Sequence, residues 1–269
     1  MSALAVPREW RVSRITALGE VLAPGRMAAA ALRLAVQIFL VVVLWRALYS
    51  DTGSSAGLTR SQAVTYAVLA VLAMRMRFLD RWIGRDTMLQ HMEFGTIVYW
   101  FLRPLPARRY YFWRAVGDQL YGLAWAAAGY AVCLLAGLIS PPTPAGAVAF
   151  AVTFALGQVV QYYLEMLTDQ MCFWAVRNDS AVLFLRLAQN LLSGAYAPLW
   201  YFPGWFQAMS AVLPFQSTLN VPLSFYVGRL SADQLPAWLA VQAGWAVALA
   251  LLTRLLWRRA AEQVVSQGG

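Results

Sequence analysis

The positions of the arginines relative to the apolar runs constrain this chain more than any other feature. All 21 basic residues are arginine, and most lie in four stretches, at residues 8–26, 75–114, 177–186 and 254–259. Apolar runs long enough to cross a bilayer lie between these stretches. Every second connection between the runs is basic, and the alternate connections carry almost no basic charge. Such alternation is typical of a multi-span membrane protein, in which basic loops stay in the cytoplasm. The sequence therefore predicts an all-α integral membrane protein.

The composition excludes a water-soluble globule. Hydrophobic residues make up 61% of the chain and charged residues only 12%, whereas soluble domains contain roughly half and a quarter. A chain of 269 residues cannot hide so much apolar surface in one water-soluble core. The net charge of +9 would suit a nucleic acid, but the arginines flank the apolar runs. We therefore expect membrane lipids with anionic headgroups as partners, and no nucleic acid.

The chain also lacks the residues that several kinds of catalytic site require. It has no lysine, and a P-loop needs its Gly-Lys-Ser/Thr to reach the β- and γ-phosphates of a nucleotide. His91 is the single histidine, and Cys133 and Cys172 lie in separate apolar segments, whereas a metal site needs several correctly spaced ligands. We therefore expect no catalytic residue, bound metal or cofactor in this chain.

Six apolar runs reach the roughly 20 residues that a helix needs to cross the hydrocarbon. We predict spans at about 28–49, 58–79, 112–138, 146–173, 181–200 and 236–257. Arg75 and Arg77 interrupt the second run and are interpreted as its cytoplasmic end. Six spans place both termini on one side, together with 17 arginines, whereas the other side keeps three, Arg46, Arg60 and Arg229. The orientation predicted by this charge difference is N-in/C-in.

Two segments outside the spans are also apolar. Residues 7–26 place large apolar side chains at spacings of three or four among the arginines, which predicts an amphipathic helix in the cytoplasmic interface; a disordered basic tail is the alternative. Residues 201–235 are broken by three prolines but rich in aromatic residues. Broken backbone at membrane depth survives only against protein or a wet cavity. We predict an outer re-entrant pair of short helices, with a flat interfacial hairpin as the alternative.

Polar side chains recur within two of the predicted spans. In span 146–173, those that share one helix face are Gln158, Gln161, Tyr162, Glu165 and Asp169. In span 181–200 they are Arg186, Gln189, Asn190, Ser193, Gly194 and Ala197. Two interpretations remain open: these faces line a transport path, or they hold neighbouring helices together. Glu165 and Arg186 lie at matching depth, so we hypothesise an ion pair that lowers the cost of burying both charges.

Residues 80–111 form the longest charged stretch, and the predicted orientation places it in the cytoplasm. The stretch mixes charges with large apolar side chains, among them Met88, Met92, Phe94 and Trp100. A surface that shows such side chains usually has a docking partner.

Three stretches of the chain resemble one known family. The segment Gly95-Thr-Ile-Val-Tyr-Trp-Phe-Leu-Arg-Pro104 is similar to its Gly-x5–6-Leu-Leu-Arg-Pro segment, with Phe101 where leucine is usual. The second stretch consists of Ser193-Gly194, Pro198-Leu199 and Phe202-Pro203. The third consists of Leu213-Pro214-Phe215 and Pro222, and it is followed by Gln242-x-x-Trp245. The order of these motifs resembles membrane subunits of type-2 ATP-binding-cassette (ABC) exporters, in the bacterial branch of drug, viologen and natural-product efflux systems. Arg-Asp-Thr at 85–87 departs from the commoner Arg-Ser-Gly turn.

The resemblance implies an architecture and a mechanism. It implies six spans, an N-terminal interfacial helix, a cytoplasmic coupling helix within 80–111 and a broken segment before the last span. A separate ABC ATPase subunit would bind ATP and Mg²⁺, dimerise and pull on the coupling residues, which we place at Arg85, Asp86, Met88, His91, Met92, Glu93 and Phe94. Two permease subunits, a second copy or a paralogue, would then open an outward path for a hydrophobic or amphipathic substrate across the bacterial cytoplasmic membrane.

The alternative function is a secondary transporter or channel driven by an ion gradient. Such folds often contain internal repeats and charges at the bilayer midplane. The two halves of this sequence show no convincing repeat, so the exporter permease is favoured.

Overall fold

The computed structural model describes residues 9–21, 24–50, 54–55, 57–76, 91, 94, 96, 106–174 and 179–267. These residues are mostly helical, which confirms the all-α prediction. The helices are α1 (Trp10–Val21), α2 (Pro24–Leu48), α3 (Arg60–Met74), α4 (Ala107–Leu135), α5 (Pro144–Gln170), α6 (Asp179–Leu192), α7 (Gly204–Val212), α8 (Asn220–Tyr226) and α9 (Leu235–Gln267). Short 3-10 turns lie at Met171–Phe173, Leu199–Tyr201, Phe215–Thr218 and Ala232–Gln234.

Three helices in the described part of the chain are long and apolar enough to cross a membrane. They cover Met27–Leu48, Pro144–Phe173 and Ala232–Ala260, close to three of the predicted spans. The other three spans remain predictions. Helix α3 is apolar but has 15 residues, about 22 Å at 1.5 Å per residue, and residues 77–79 of the predicted span lie outside the described residues.

The described helices differ from the predicted spans mainly at their ends. Helix α4 begins at Ala107, five residues before the predicted span, because Pro106 directly precedes it and fits a helix start. Helix α6 ends at Leu192, before the predicted end at residue 200. Gly194 adopts a φ of 77° just beyond that end, a left-handed conformation that terminates helices and favours glycine.

Helix α1 lies against α4. The contact is close because Gly117 of α4 has no side chain: a Cβ there would lie 2.4 Å from the carbonyl oxygen of Ser13. Beside it the ring of Trp10 meets the edge of Trp113, with 6.3 Å between centroids. The first segment is thus helical from Trp10 to Val21, as predicted, rather than an irregular tail; its place in the membrane interface remains a prediction.

Helices α2 and α3 form a hairpin. Two short antiparallel strands, β1 (Ser54–Ser55) and β2 (Leu58–Thr59), close it. Thr59 then caps α3: the backbone N–H of Gln62 donates to the Thr59 hydroxyl, and the backbone N–H of Thr59 donates to the Gln62 side chain. This reciprocal capping box fixes where α3 begins. The central residues of α3 are almost all buried, so α3 forms the core of the subunit.

The chain between α6 and α9 is irregular, and we call residues 193–230 the broken segment. It contains α7, α8 and two of the 3-10 turns. Every residue of α8 is buried, whereas α7 exposes Trp205, Met209 and Val212. Burial of α8 against α5 and α3 is what interrupted backbone at membrane depth requires. Whether the segment is re-entrant or lies flat remains a prediction.

Candidate functional site

The two predicted polar faces contain side chains of two kinds. Gln161, Gln189 and Asn190 are buried within the single subunit, with exposed fractions of 2%, 7% and 6%. The remaining predicted path residues are partly exposed: Gln158, Tyr162, Glu165 and Arg186. The buried side chains contact other parts of the same chain, and only the partly exposed ones are available to a path outside it.

Helices α5 and α6 are joined where the two polar faces approach each other. The side-chain amide of Gln189 donates to the hydroxyl of Thr168, 3.3 Å away, and both residues are buried. On α5 itself, the amide of Gln161 donates to a carboxylate oxygen of Glu165 at 2.9 Å. The Gln189–Thr168 bond supports the interpretation that buried amides hold helices together, whereas the Gln161 bond lies within α5.

Asp169 is the carboxylate at which three helices meet. The hydroxyl of Tyr111 on α4 donates to it at 2.8 Å, and the positive charges of Arg186 on α6 and Arg114 on α4 both act on it. Helical spacing predicts Asp169 on the polar face of α5 but does not predict its partner Tyr111. Glu165 lies one turn before Asp169 on the same helix, and its hypothesised pair with Arg186 stays a prediction.

A second polar cluster joins α3 to the broken segment, and we call it the Asn220 junction. The hydroxyl of Tyr66, which is fully buried, lies 3.0 Å from the side-chain oxygen of Asn220 and 3.1 Å from the carbonyl oxygen of Gly194. The backbone N–H of Leu199 donates to the same Asn220 oxygen at 3.3 Å. The backbone N–H of Asn220 donates to the carbonyl of Ser193 at 3.0 Å. One asparagine and one tyrosine therefore satisfy backbone groups just beyond α6 and join them to the start of α8.

A third contact, the Gln242 clamp, joins α9 to α5 and the broken segment. Gln242 is fully buried on α9. Its side-chain nitrogen donates to the carbonyl oxygen of Thr153 on α5 at 3.0 Å and to that of Ser217 at 2.7 Å. Ser217 belongs to the turn Phe215–Thr218. Its carbonyl lies outside the regular α-helices, and the Gln242 amide supplies a donor for it. One amide thus connects two long helices and the turn between them.

Glycines allow α5 to approach the broken segment directly. A Cβ at Gly157 would lie 2.7 Å from the carbonyl oxygen of Ser217, and one at Gly146 would lie 2.9 Å from that of Phe225. Contacts this short are not made by real Cβ atoms, so larger residues require the backbones to separate. Two glycines about three turns apart on α5 therefore set the distance between α5 and the broken segment.

The predicted coupling residues fall mostly outside the described structure. Arg85, Asp86, Met88, Met92 and Glu93 lie outside the described residues. His91 is helical, and the backbone N–H of Thr96 donates to its carbonyl at 2.8 Å, a separation that occurs where a helix ends. The side chains of His91 and Thr96 are also 2.6 Å apart, and Phe94 between them is 70% exposed. The exposure of Phe94 agrees with a docking role, which remains a prediction.

Sequence reasoning missed the roles of three residues that organise the broken segment. The sequence indicated Gln242 only as part of a family motif, and it predicted no role for Tyr66 or Asn220. Each is a polar group in an otherwise apolar stretch, which is the signal that could have found them. What the sequence could not supply is the partner, because Tyr66 and Asn220 are 154 positions apart.

Comparison with known proteins gives one match. A family model described as ABC-2 family transporter protein matches residues 35–268, from within α2 through α9. No curated protein and no solved structure matches the chain. The matched region includes the polar faces of α5 and α6, the Asn220 junction, the Gln242 clamp and residues 80–111.

Proposed function

This chain belongs to the ABC-2 family of transporter proteins, and we propose that it is the membrane-spanning permease of an ATP-driven exporter. Membership makes it a membrane transport component that is not itself catalytic and implies association with an ABC ATPase subunit. The observation that carries the proposal is the extent of the match, which runs almost from one end of the chain to the other.

ATP hydrolysis in this proposal takes place on a separate subunit. That subunit binds ATP and Mg²⁺, and its affinity difference between two permease conformations supplies the driving force. The contact is the coupling segment 80–111, with Arg85, His91, Glu93 and Phe94 among its residues. The exposed side chain of Phe94 supports this assignment, because a large apolar side chain at a surface favours docking.

The substrate path in this proposal lies between two permease subunits, either two copies or a copy and a paralogue. One chain of this size is too small to enclose a path. We assign Gln158, Tyr162, Glu165 and Arg186 to the path, because each of these residues is partly exposed on the subunit. The buried Gln189 instead holds α6 to α5 through Thr168, and Gln161 and Asn190 are covered within the subunit.

The proposed membrane arrangement has six spans with both termini in the cytoplasm of a bacterial cell. Three membrane-length helices in the described residues and the distribution of the arginines support it. The aromatic and polar walls of α4 and α5 suit a hydrophobic or amphipathic cargo, as in drug, viologen and natural-product efflux.

The coupling assignment is tested with an ABC ATPase subunit sought among the reading frames that neighbour this gene. The variants Glu93→Arg and Met92→Ala are expected to lose co-purification of the ATPase and nucleotide-dependent transport. Glu262→Arg is the matched control, because it makes the same charge reversal on the predicted cytoplasmic side but outside residues 80–111. Intact association and transport in both coupling variants would refute the assignment.

The exporter is distinguished from an ion-driven transporter by reconstitution. Vesicles with the permease alone are expected to be inactive under a proton or sodium gradient, and vesicles that also contain the ATPase are expected to transport when ATP is supplied. Gradient-driven transport by the lone permease would refute the ATP-driven exporter.

A further inference from the structure

Two adjoining cavities lie between α2, α3 and α4. The first, about 370 Å³, is polar at one end and is lined by Arg46, Arg60, Ser61, Val64, Gly137 and Leu138. The second, about 490 Å³, is an apolar groove between α2 and α4, and its wall also includes Arg46 and Leu138. Because these two residues line both cavities, the polar pocket continues into the groove.

The groove is long and narrow. On α2 its lining runs from Ala31 to Arg46, about 22 Å at 1.5 Å per residue, which exceeds the roughly 15 Å depth of one bilayer leaflet. The whole space between the groove walls, its open side included, is about 1080 Å³, a mean cross-section of about 49 Å² over that length. A helix with its side chains is about 10 Å across and needs about 80 Å², so it does not fit. A single methylene chain, whose carbons contact their neighbours at about 4 Å, does.

The walls of the groove are apolar and face the membrane. Leu34, Val42 and Cys133 line its buried side. Phe39 and Val43 on its rim are 65% and 48% exposed, as expected for side chains that meet lipid. The groove therefore opens to the hydrocarbon of the bilayer, from which an acyl chain can enter sideways.

The polar pocket carries two positive charges. Arg46 lies near the last turn of α2 and Arg60 is the first residue of α3, so both sit at the closed end of the α2–α3 hairpin. Both side chains are exposed, and among the described residues no carboxylate lies within ion-pair distance of either guanidinium. Two arginines suit a phosphate group, which guanidinium groups bind through paired hydrogen bonds. The Ser61 hydroxyl beside them is hydrogen-bonded to that of Ser140 at 2.6 Å.

We propose that these joined cavities bind one anionic phospholipid of the surrounding bilayer. Its phosphate lies between Arg46 and Arg60, and one acyl chain lies along the groove between α2 and α4. The site is on the membrane face opposite to α1, in the leaflet of the outer connections. It does not depend on ATPase coupling, so its failure and the failure of the proposed function are separate results.

The headgroup contact is tested with the full-length protein purified in detergent. Phosphatidylglycerol or phosphatidylcholine with the same acyl chains is titrated in, and native mass spectrometry counts the retained lipids. Arg46→Gln and Arg60→Gln are each expected to weaken phosphatidylglycerol retention about fivefold, and the double variant about 25-fold. Phosphatidylcholine, whose choline offsets the charge of its phosphate, is expected to be retained less by the native protein and to lose less than phosphatidylglycerol in these variants. Arg33→Gln is the matched control, since it removes the same charge at the other end of α2.

The acyl-chain contact is tested separately. Ala35→Trp fills the groove without changing charge and is expected to lower phosphatidylglycerol retention at least tenfold. Phosphatidylglycerol with brominated acyl chains is expected to quench the fluorescence of Trp125, which lines the groove, measured as the difference between the native protein and Trp125→Phe. The Trp125→Phe reference keeps an aromatic ring in the groove wall and leaves Arg46 and Arg60 unchanged.

Three outcomes would overturn the proposal. The first is equal retention of the two lipids by the native protein, and the second is unchanged phosphatidylglycerol retention in the arginine double variant. The third is an Ala35→Trp variant that changes the oligomeric mass and leaves lipid retention intact, because the groove is then an interface between subunits.

Discussion

The contact between α5 and the broken segment predicts that Gly157→Ala destabilises the protein. A Cβ at this position would lie 2.7 Å from the carbonyl oxygen of Ser217 and 3.3 Å from that of Thr218. Both oxygens belong to backbone that is buried and held in a 3-10 turn, so neither can rotate away as a side chain does. The turn must move from α5, and that movement also pulls Ser217 from its hydrogen bond with Gln242.

The magnitude follows from two opposing effects. Replacing glycine by alanine within a helix gains up to about 1 kcal/mol. Forcing an extra methyl group into a tight contact costs about 1–3 kcal/mol. The matched control is Gly244→Ala on α9, because a Cβ there has no neighbour within 4 Å and only the helical gain applies. The two variants therefore differ by about 2 kcal/mol, or about 4–8 °C in midpoint temperature for a chain of this length.

The assay uses the two buried cysteines as reporters of unfolding. Cys133 and Cys172 are both free and buried, so a thiol-reactive fluorogenic dye labels them only as the purified protein unfolds on heating. Gly157→Ala is expected to unfold several degrees below the native protein, and Gly244→Ala at or above it. A Gly157→Ala midpoint equal to that of Gly244→Ala would refute the close approach of α5 to Ser217.

Further predictions concern the polar contacts. Gln242→Met keeps the side-chain length but loses both donated bonds, and it is expected to lower the stability of the protein by about 1–2 kcal/mol. The same change made in the Gly157→Ala protein is expected to cost less, because both changes act on the carbonyl of Ser217. Fully additive effects in thermal unfolding would contradict this shared carbonyl. Tyr66→Phe is expected to cost about 1 kcal/mol by the same assay, and an unchanged midpoint would exclude a role for its hydroxyl. If Glu165 and Arg186 form a pair, neutralising both is milder for transport and stability than neutralising either alone; a double variant no milder than the single ones would disprove it.

Apolar length and arginine placement predicted much of the helical architecture. The predicted spans 28–49, 146–173 and 236–257 correspond to helices of membrane length within a few residues, because a long uninterrupted apolar run has few other solutions in lipid. Pattern was less informative at helix ends. The end of α6 depends on the left-handed backbone of Gly194, and a glycine in an apolar run is equally compatible with a continuing helix.

The candidate site was predicted in part. Helical spacing identified the polar faces of α5 and α6, but spacing gives only the direction of a side chain around its own helix. Gln161 and Tyr162 are adjacent and both polar, yet Gln161 is buried and Tyr162 is partly exposed, since the neighbouring helices decide which is covered. The sequence was therefore unable to separate the polar side chains that the subunit covers from those that it leaves partly exposed.

The side chains that bridge to the broken segment share a physical reason. Inside a helix each carbonyl already accepts a backbone hydrogen bond, whereas carbonyls at a helix end or in a turn lack this partner. The amide of Gln62 donates to the carbonyl of Val227 at 2.8 Å, just beyond α8. The hydroxyl of Tyr66 donates to the backbone carbonyl of Gly194, just beyond α6. The side-chain amide of Gln242 donates to the backbone carbonyl of Ser217 in the turn.

The predicted membrane depth of the broken segment gives these donors a reason. At such a depth no water can satisfy a carbonyl left open by a break, and each unsatisfied group costs several kcal/mol. The donors are polar side chains on the regular helices α3 and α9. The acceptors are backbone carbonyls of the irregular chain between α6 and α9. Polar residues in the regular helices are thus explained by the breaks they face, so a break moved by one residue would require its donor to move as well.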